Sequence, residues 1–490
     1  MIDFSLIAPE LFIAASGLVL LLFSVCRREG HSAFFMTTVL SALVMAAASV
    51  WVGVSTTEGS TLHDFFVTGP FQHFVKSAVL GLGALAALLS PFAFGAKEKP
   101  KPEYGILLLF SVLGMMLMAS ANDLIGLYVA LELQNLPLYV LVSLRRGEPQ
   151  ASEAGLKYFA LGATASAILL FGLSFVYGFA GTTSFAGIAG ALAEMNGALP
   201  VGLWVGGALT LVGLAFKISA VPFHMWTPDV YQGAATPVTA FLSSAPKVAG
   251  VGLLALVLAR PFTSMEGLWL HALVVLSVLS MLVGALGGLR QTNVKRLMGY
   301  SAILNIGTML IGLVVMGKGS VLPDSAVDGA RGAFLYVVLY AVGTVAFLGS
   351  LSLLGRRQKP LETLEDLAGL ASSQPFLTCA MAAALFSLAG VPPLAGFFGK
   401  YFVLLAAVQG GFVWLAVLGV LTSVIAAAYY LRIVKVMVFD EPKGLPVQAL
   451  SGRIPSFLMG VVSLSLVLFV LCPSFLIEAA RHAAEGLVFR

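Results

Sequence analysis

Long apolar runs, separated by short stretches that gather the charged residues, pattern this chain from end to end. They fall at roughly 5–26, 33–54, 72–95, 104–120, 121–144, 157–180, 201–226, 237–259, 268–289, 298–317, 332–355, 375–408, 411–438 and 456–479. Most are close to the ~20 apolar residues an α-helix needs to cross a hydrocarbon core. A helix satisfies its own backbone in lipid, so the pattern predicts an all-α membrane protein with about 14 transmembrane helices. Two features interrupt it. Only Asn122-Asp123 parts the fourth run from the fifth, and the twelfth is long and broken by Pro392-Pro393.

Composition excludes the soluble alternatives. The chain is 59% hydrophobic and 10% charged, with a mean hydropathy of +0.99, whereas a soluble protein is about a quarter charged. A net charge of +4 without a basic tract excludes a nucleic-acid partner. Cys26, Cys379 and Cys472 form no CxxC and no iron–sulfur spacing, and are expected to be buried structural thiols. The first run has no basic residues ahead of it and reads as a retained span, not a cleaved signal.

Loop charge tests the partition independently of hydropathy. With both termini outside, the loops after runs 1, 3, 5, 9, 11 and 13 collect 17 Lys and Arg; the internal loops of the opposite face hold only Arg260, Lys318 and Arg331. Setting aside the tail and Lys157, which opens run six, four basic residues remain: Lys76, Lys217, Lys247 and Lys400. Glu132 is the acidic residue in the middle of an apolar run. Each charge at bilayer depth costs about 2.5–3.5 kcal/mol, so several together imply a use.

Runs seven and twelve contain Ala220-Val221-Pro222 and Gly390-Val391-Pro392, prolines that break otherwise helical segments. The two runs are an odd number of crossings apart, so equivalent helices traverse the membrane in opposite directions. That predicts two inverted five-helix repeats, with broken helices 7 and 12. The implied organisation is helices 1–3 in 1–103, a first repeat (helices 4–8) in 104–260, a second (helices 9–13) in 261–440, and helix 14 with a tail in 441–490.

The buried charges suggest proton transfer. Burial disfavours a charged ammonium and a neighbouring carboxylate restores it, so a Glu132–Lys217 contact that forms and breaks is a proton switch. Lys247, on the next helix, is the natural acceptor from Lys217, and Lys400 is a terminal station in the second repeat. His224, two residues past Pro222, is placed to carry a proton between Lys217 and Lys247, or to brace the break as a hydrogen-bonded histidine. Lys76, near the start of run three, reads as a snorkelling residue and His271 as structural. Gly399-Lys400-Tyr401 is not a phosphate loop, and Gly81 to Ala86 lies inside a membrane run. With no metal, haem, flavin or nucleotide motif, the chain carries no engine of its own.

The stretch Lys217-Ile218-Ser219-Ala220-Val221-Pro222-Phe223-His224-Met225-Trp226, continuing through Gly233, resembles the antiporter-like membrane subunits of respiratory complex I, bacterial NADH-quinone oxidoreductase. Lys295 to Ser301, Asn305-Ile306-Gly307 and Pro392 to Lys400 carry the same resemblance. A lysine at 400, where the M branch has glutamate, and a chain ending soon after run fourteen, where the L branch adds a long lateral helix, favour the N branch. The family often has proline where Ala235 stands. The resemblance implies that positions Glu132, Lys217, Lys247 and Lys400 translocate protons, with His224 at a polar relay position. It also implies other membrane and peripheral subunits of the complex as partners, with FMN, iron–sulfur clusters, NADH and quinone held by them and no cofactor here. The expected setting is the bacterial inner membrane with both termini periplasmic. The rivals are a subunit of a multi-subunit cation/proton antiporter and a non-conducting membrane scaffold.

Overall fold

The computed structural model describes residues 3–26, 30–94, 101–145, 147–195, 199–317, 323–356, 359–442, 446–450 and 452–489. Arg27, Arg28, Lys97, Lys99, Arg146, Lys318, Arg357 and Lys443 of the loop-charge count lie outside them. The apolar runs form helices that pack side by side. α1 (Ala8–Cys26), α2 (His31–Val54) and α3 (Pro70–Ala93) make the amino-terminal group. A hairpin of β1 (Gly59–Thr61) and β2 (Phe66–Thr68) joins α2 to α3, with Gly59 opposite Thr68.

The next segment contains α4 (Glu103–Ser120), α5 (Leu124–Val142), α6 (Pro149–Ala180), a short α7 (Phe185–Glu194), α8 (Val201–Ile218), α9 (Trp226–Gly233), α10 (Thr236–Leu242) and α11 (Ala245–Ala259). Asn122 and Asp123 suffice to part α4 from α5, because Asp123 Oδ1 accepts from the backbone N–H groups of Ile125 and Gly126 at 2.7 and 3.3 Å. Next come α12 (Glu266–Leu289), α13 (Val294–Met316), α14 (Pro323–Ser352), the single turn α15 (Leu370–Ser373), α16 (Pro375–Ala389), α17 (Ala395–Gln409) and α18 (Val413–Phe439). α19 (Arg453–Leu468) and α20 (Ser474–Val488) close the chain.

Thirteen segments among the described residues are long and apolar enough to cross a membrane. α16 and α17, 15 residues each, are individually too short and together make the twelfth crossing anticipated from sequence. α14 is the central pillar: it packs on α13, α16, α17 and α20, and reaches α10, α11 and α3. It begins at Pro323, earlier than the apolar run at 332, and within the added segment Asp328 and Arg331 pair across one helical turn at 2.9 Å.

Three sequence expectations need correction. Run eight is interrupted at Ser243-Ser244 and is not one continuous helix; Lys247, in the middle of the Thr236–Ala259 span, lies in the first turn of α11. Run fourteen ends near Leu471, and the residues beyond it form a separate helix, α20, packed on α14 and α3. Cys26, Cys379 and Cys472 are free but exposed, not buried. A thiol facing lipid costs little, and an apolar run does not distinguish a lipid-facing side from an inward one.

α12 and α13 approach closely at two glycines. A Cβ on Gly307 would stand 2.7 Å from the Met281 nitrogen, and one on Gly284 would stand 2.7 Å from Leu304 Cα. Gly307→Leu should therefore push α13 off α12 and destabilise the fold by about 1–3 kcal/mol or more, measured as a lowered thermal midpoint in detergent.

Candidate functional site: buried lysines at two broken helices

α8 and α16 end in the same way. Ser219 and Gly390 follow them with left-handed backbone, φ 69° and 86°. Ala220 N–H donates to Ala215 O at 2.9 Å and Val391 N–H to Phe386 O at 3.1 Å, while Ser219 and Gly390 donate to Phe216 O and Ser387 O at 3.1 and 2.9 Å. This double closure still leaves the final carbonyls of each helix without a backbone partner. Both breaks meet that need with a lysine. Lys247 Nζ donates to Ile218 O at 3.2 Å and Lys400 Nζ to Ala389 O at 2.9 Å. Each cation thus sits at the negative end of a helix dipole, and both side chains are buried.

Lys217 is buried on the last turn of α8. The expected Glu132–Lys217 contact is indirect, because Asn135 stands between them. Lys217 Nζ donates to Asn135 Oδ1, and Asn135 Nδ2 donates to Glu132 Oε1 at 3.4 Å. Ser166 Oγ donates to the same carboxylate oxygen at 2.5 Å. Glu132 is half-buried on α5, in line with the exposed Ile125, Val129, Leu136 and Val140, so the carboxylate borders the chain's outer surface. Asn135, Ser166, Lys217 and Trp226 line a cavity of about 10 Å³, room for one water.

Trp226 and Gly250 connect this pocket to Lys247. The Trp226 indole N–H donates to Phe216 O at 3.1 Å, and Lys247 Nζ lies 5.0 Å from the indole ring centre. A Cβ on Gly250 would stand 3.8 Å from Lys217 Cγ, so Lys217 packs beside α11 one turn from Lys247. Ser219 Oγ accepts from Lys247 Nζ at 2.5 Å and from Thr227 Oγ1 at 2.6 Å.

His224 is half-buried between Phe223 and the exposed Met225, and among the described residues no hydrogen bond joins it to either lysine. Lys76 does not snorkel. It is buried in an ion pair with Glu10 at 2.6 Å, against the Phe66 ring. Glu10 lies on another helix, so no local sequence signal marks the pair. His271 Nδ1 meets Gly267 O at 2.8 Å, a local helix contact. Sequence reading also missed a buried hydroxyl cluster beside the second break. Tyr336 donates to Asn305 Oδ1 at 2.5 Å, Asn305 Nδ2 donates to Tyr430 OH at 3.2 Å, and Tyr430 meets Ser301 Oγ at 2.5 Å. A Cβ on Gly399, beside Lys400, would stand 2.6 Å from the Tyr336 ring. Among the described residues no group of three or more metal-ligating side chains comes together.

The family described as NADH:quinone oxidoreductase/Mrp antiporter, TM, matches residues 121–426. NADH-quinone oxidoreductase subunit N of Rhodospirillum rubrum is 43% identical over 482 residues, covering 98% of this chain and 97% of that one. The chain belongs to the subunit N family of NADH-quinone oxidoreductase. The resemblance seen in the Lys217–Trp226 stretch therefore holds over the whole length, and the chain is an antiporter-like membrane subunit of an oxidoreductase complex. A chain of respiratory complex I from Thermus thermophilus, with bound aureothin, superposes with a TM-score of 0.79 at 29% identity, covering 97% of this chain and 99% of that one. A chain of the Mrp complex from Dietzia sp. gives 0.83 at 21% identity over 99% and 98%, which shows a shared fold.

Asn135 carries the Glu132–Lys217 interaction, so a double-mutant cycle should expose it. Glu132→Gln should lower the thermal midpoint in the native background, and this effect should largely vanish once Asn135→Leu is present. Asn135→Leu itself should cost about 1–3 kcal/mol by stranding Lys217 without its acceptor.

Proposed function

We propose that this chain translocates protons across the bacterial inner membrane through Glu132, Lys217, Lys247 and Lys400, driven by redox chemistry in its partner subunits. The observation that carries this reading is the Glu132–Asn135–Lys217 bridge, buried at one end and bordering the outer surface at the other. A neighbouring membrane subunit on α5 repositions or protonates Glu132, which withdraws negative charge from the bridge. Lys217 then yields its proton to Lys247, which lies one turn along the helix it packs against. No catalysis of electron transfer is asked of this chain. Flavin, iron–sulfur centres, NADH and quinone belong to the peripheral and membrane partners.

On this reading the onward transfer to Lys400 runs by way of α14. α14 packs on both α11 and α17 and carries Tyr336, whose hydroxyl belongs to the Asn305–Tyr430–Ser301 cluster and whose ring abuts Gly399. Hydroxyls accept and donate in turn, and water bridges gaps longer than one hydrogen bond. His224 stands at the rim of the break and serves this route through water. On this reading both termini face the periplasm, which the gathering of basic residues in alternate loops supports.

Glu132→Gln and Lys217→Ala in the assembled complex should each lower the number of protons pumped per NADH oxidised while the subunits remain together. A proton-to-electron ratio equal to the native one in both variants would instead favour a non-conducting scaffold.

A further inference from the structure

α1–α3 lie outside residues 121–426, which match the family, and the relay as read so far makes no use of them. They nonetheless contain a buried ion pair. Lys76 Nζ on α3 meets Glu10 Oε1 on α1 at 2.6 Å, with the two side chains 2% and 3% exposed. Among the described residues neither Glu10 oxygen has a hydrogen bond beyond this pairing, and Lys76 otherwise faces the Phe66 ring, 4.6 Å from its centre. Each charge therefore depends on the other. Phe66 belongs to the β1–β2 hairpin, which is tied to the residues before α1: Asp3 N–H donates to Thr61 Oγ1 at 2.9 Å and Thr68 Oγ1 to Leu6 O at 3.5 Å. The hairpin thus closes over the pair and keeps water from it, a setting in which opposite charges attract most strongly.

The same stretch of α3 supports the centre of the molecule. Phe71 and Val75 are buried against α11: a Cβ on Gly252 would stand 3.1 Å from Val75 and 3.7 Å from the Phe71 ring. Gly252 lies just over one turn beyond Lys247 on that helix. Phe71 and Phe74 also meet Phe334 of α14, with ring centres 5.5 and 6.2 Å apart, and Phe334 stands on α14 close before Tyr336. Lys76, the residue after Val75, leaves this turn toward α1. The buried stripe of α1 is Glu10, Ile13, Gly17 and Leu20, and the helix packs on α2 and α4; the ion pair ties it to α3 as well. A Lys76 without Glu10 would be drawn toward water at the hairpin end, turning α3 and lifting Phe71 and Val75 off α11.

We propose that Glu10 and Lys76 are a positioning pair for the relay. Locked together, they hold α3 in the rotation that seats Phe71 and Val75 on α11 and Phe71 and Phe74 on α14, and so fix where Lys247 and Tyr336 stand. Neither member of the pair passes a proton. The amino-terminal helices act as a strut braced against two helices that carry the relay, with the ion pair as its lock. The proposal rests on the relay reading of Lys247 and adds to it the element that keeps that station in place.

The test uses the assembled complex, with hydrogen–deuterium exchange read helix by helix and NADH-driven proton pumping measured in inside-out vesicles. Glu10→Gln and Lys76→Met should each raise exchange of the α11 amides about tenfold, leave α18 as in the native complex, and lower the number of protons pumped per NADH oxidised. Restoring the pair in reverse, with Glu10→Lys and Lys76→Glu together, should return both readouts to native values. Val75→Ala leaves the ion pair intact and trims the seat of α3 on α11. It should loosen α11 in the same way, and it decides the matter if the charge variants fail to assemble. Native-like α11 exchange in Val75→Ala, or in either assembled single charge variant, would overturn the proposal. So would exchange that rises equally in α18, the mark of general loosening. A reversed pair that restores α11 but not pumping would also overturn it, by making the two groups proton carriers. A looser α11 with unchanged pumping would keep the strut and remove Lys247 from the relay.

Discussion

A helix that stops inside hydrocarbon leaves carbonyl oxygens that water cannot reach, and the whole centre of this molecule is shaped by how those oxygens are satisfied. Closing α8 and α16 with a left-handed residue settles two carbonyls of each, and a lysine takes another. The cation in turn needs an acceptor, because a bare ammonium in lipid is far more costly than a bare carbonyl. The break and its lysine therefore stabilise each other. A proton leaving the lysine converts a charge-assisted bond into a weaker one, so the geometry of the break and the charge state of the site are coupled without further machinery.

The two repeats share the break but not the way they furnish it. In the first, the capping lysine arrives from a separate helix, α11, and a second lysine, Lys217, occupies the last turn of the broken helix itself. In the second, α17, the continuation of the break, supplies Lys400, and Leu388 stands where Lys217 would be expected by the match of Ile218 with Ala389. One half thus holds two closely spaced titratable groups and the other a single one. The two breaks share a backbone form while the chemistry around them differs.

The sequence made much of this legible. Runs of about twenty apolar residues, prolines at 222 and 392, and lysines isolated within those runs marked the crossings, the breaks and the candidate site, since each is an expensive feature in lipid. Pairwise partners were not legible. Asn135 was visible beside Glu132, but that it would stand between the carboxylate and Lys217 depends on how α5 meets α8. Glu10 hid near the start of an apolar run, and its match with Lys76 is purely tertiary. The interruption at Ser243-Ser244 had a local signal in Pro246, which has no N–H to donate to Leu242 O and so cannot continue α10, yet apolar residues on either side masked it. The cysteines were misread because hydrophobicity reports distance from water and is silent about whether a side chain meets protein or lipid.

The position of Glu132 at the rim of α5 bears on how such a subunit is made safely. A carboxylate that borders the outer surface is finished by whatever docks there, so under the proposed relay a copy inserted ahead of its companions has its first station incomplete and receives no stimulus. On this reading, surplus or orphaned chains idle in the membrane without short-circuiting it, and the activity switches on with assembly.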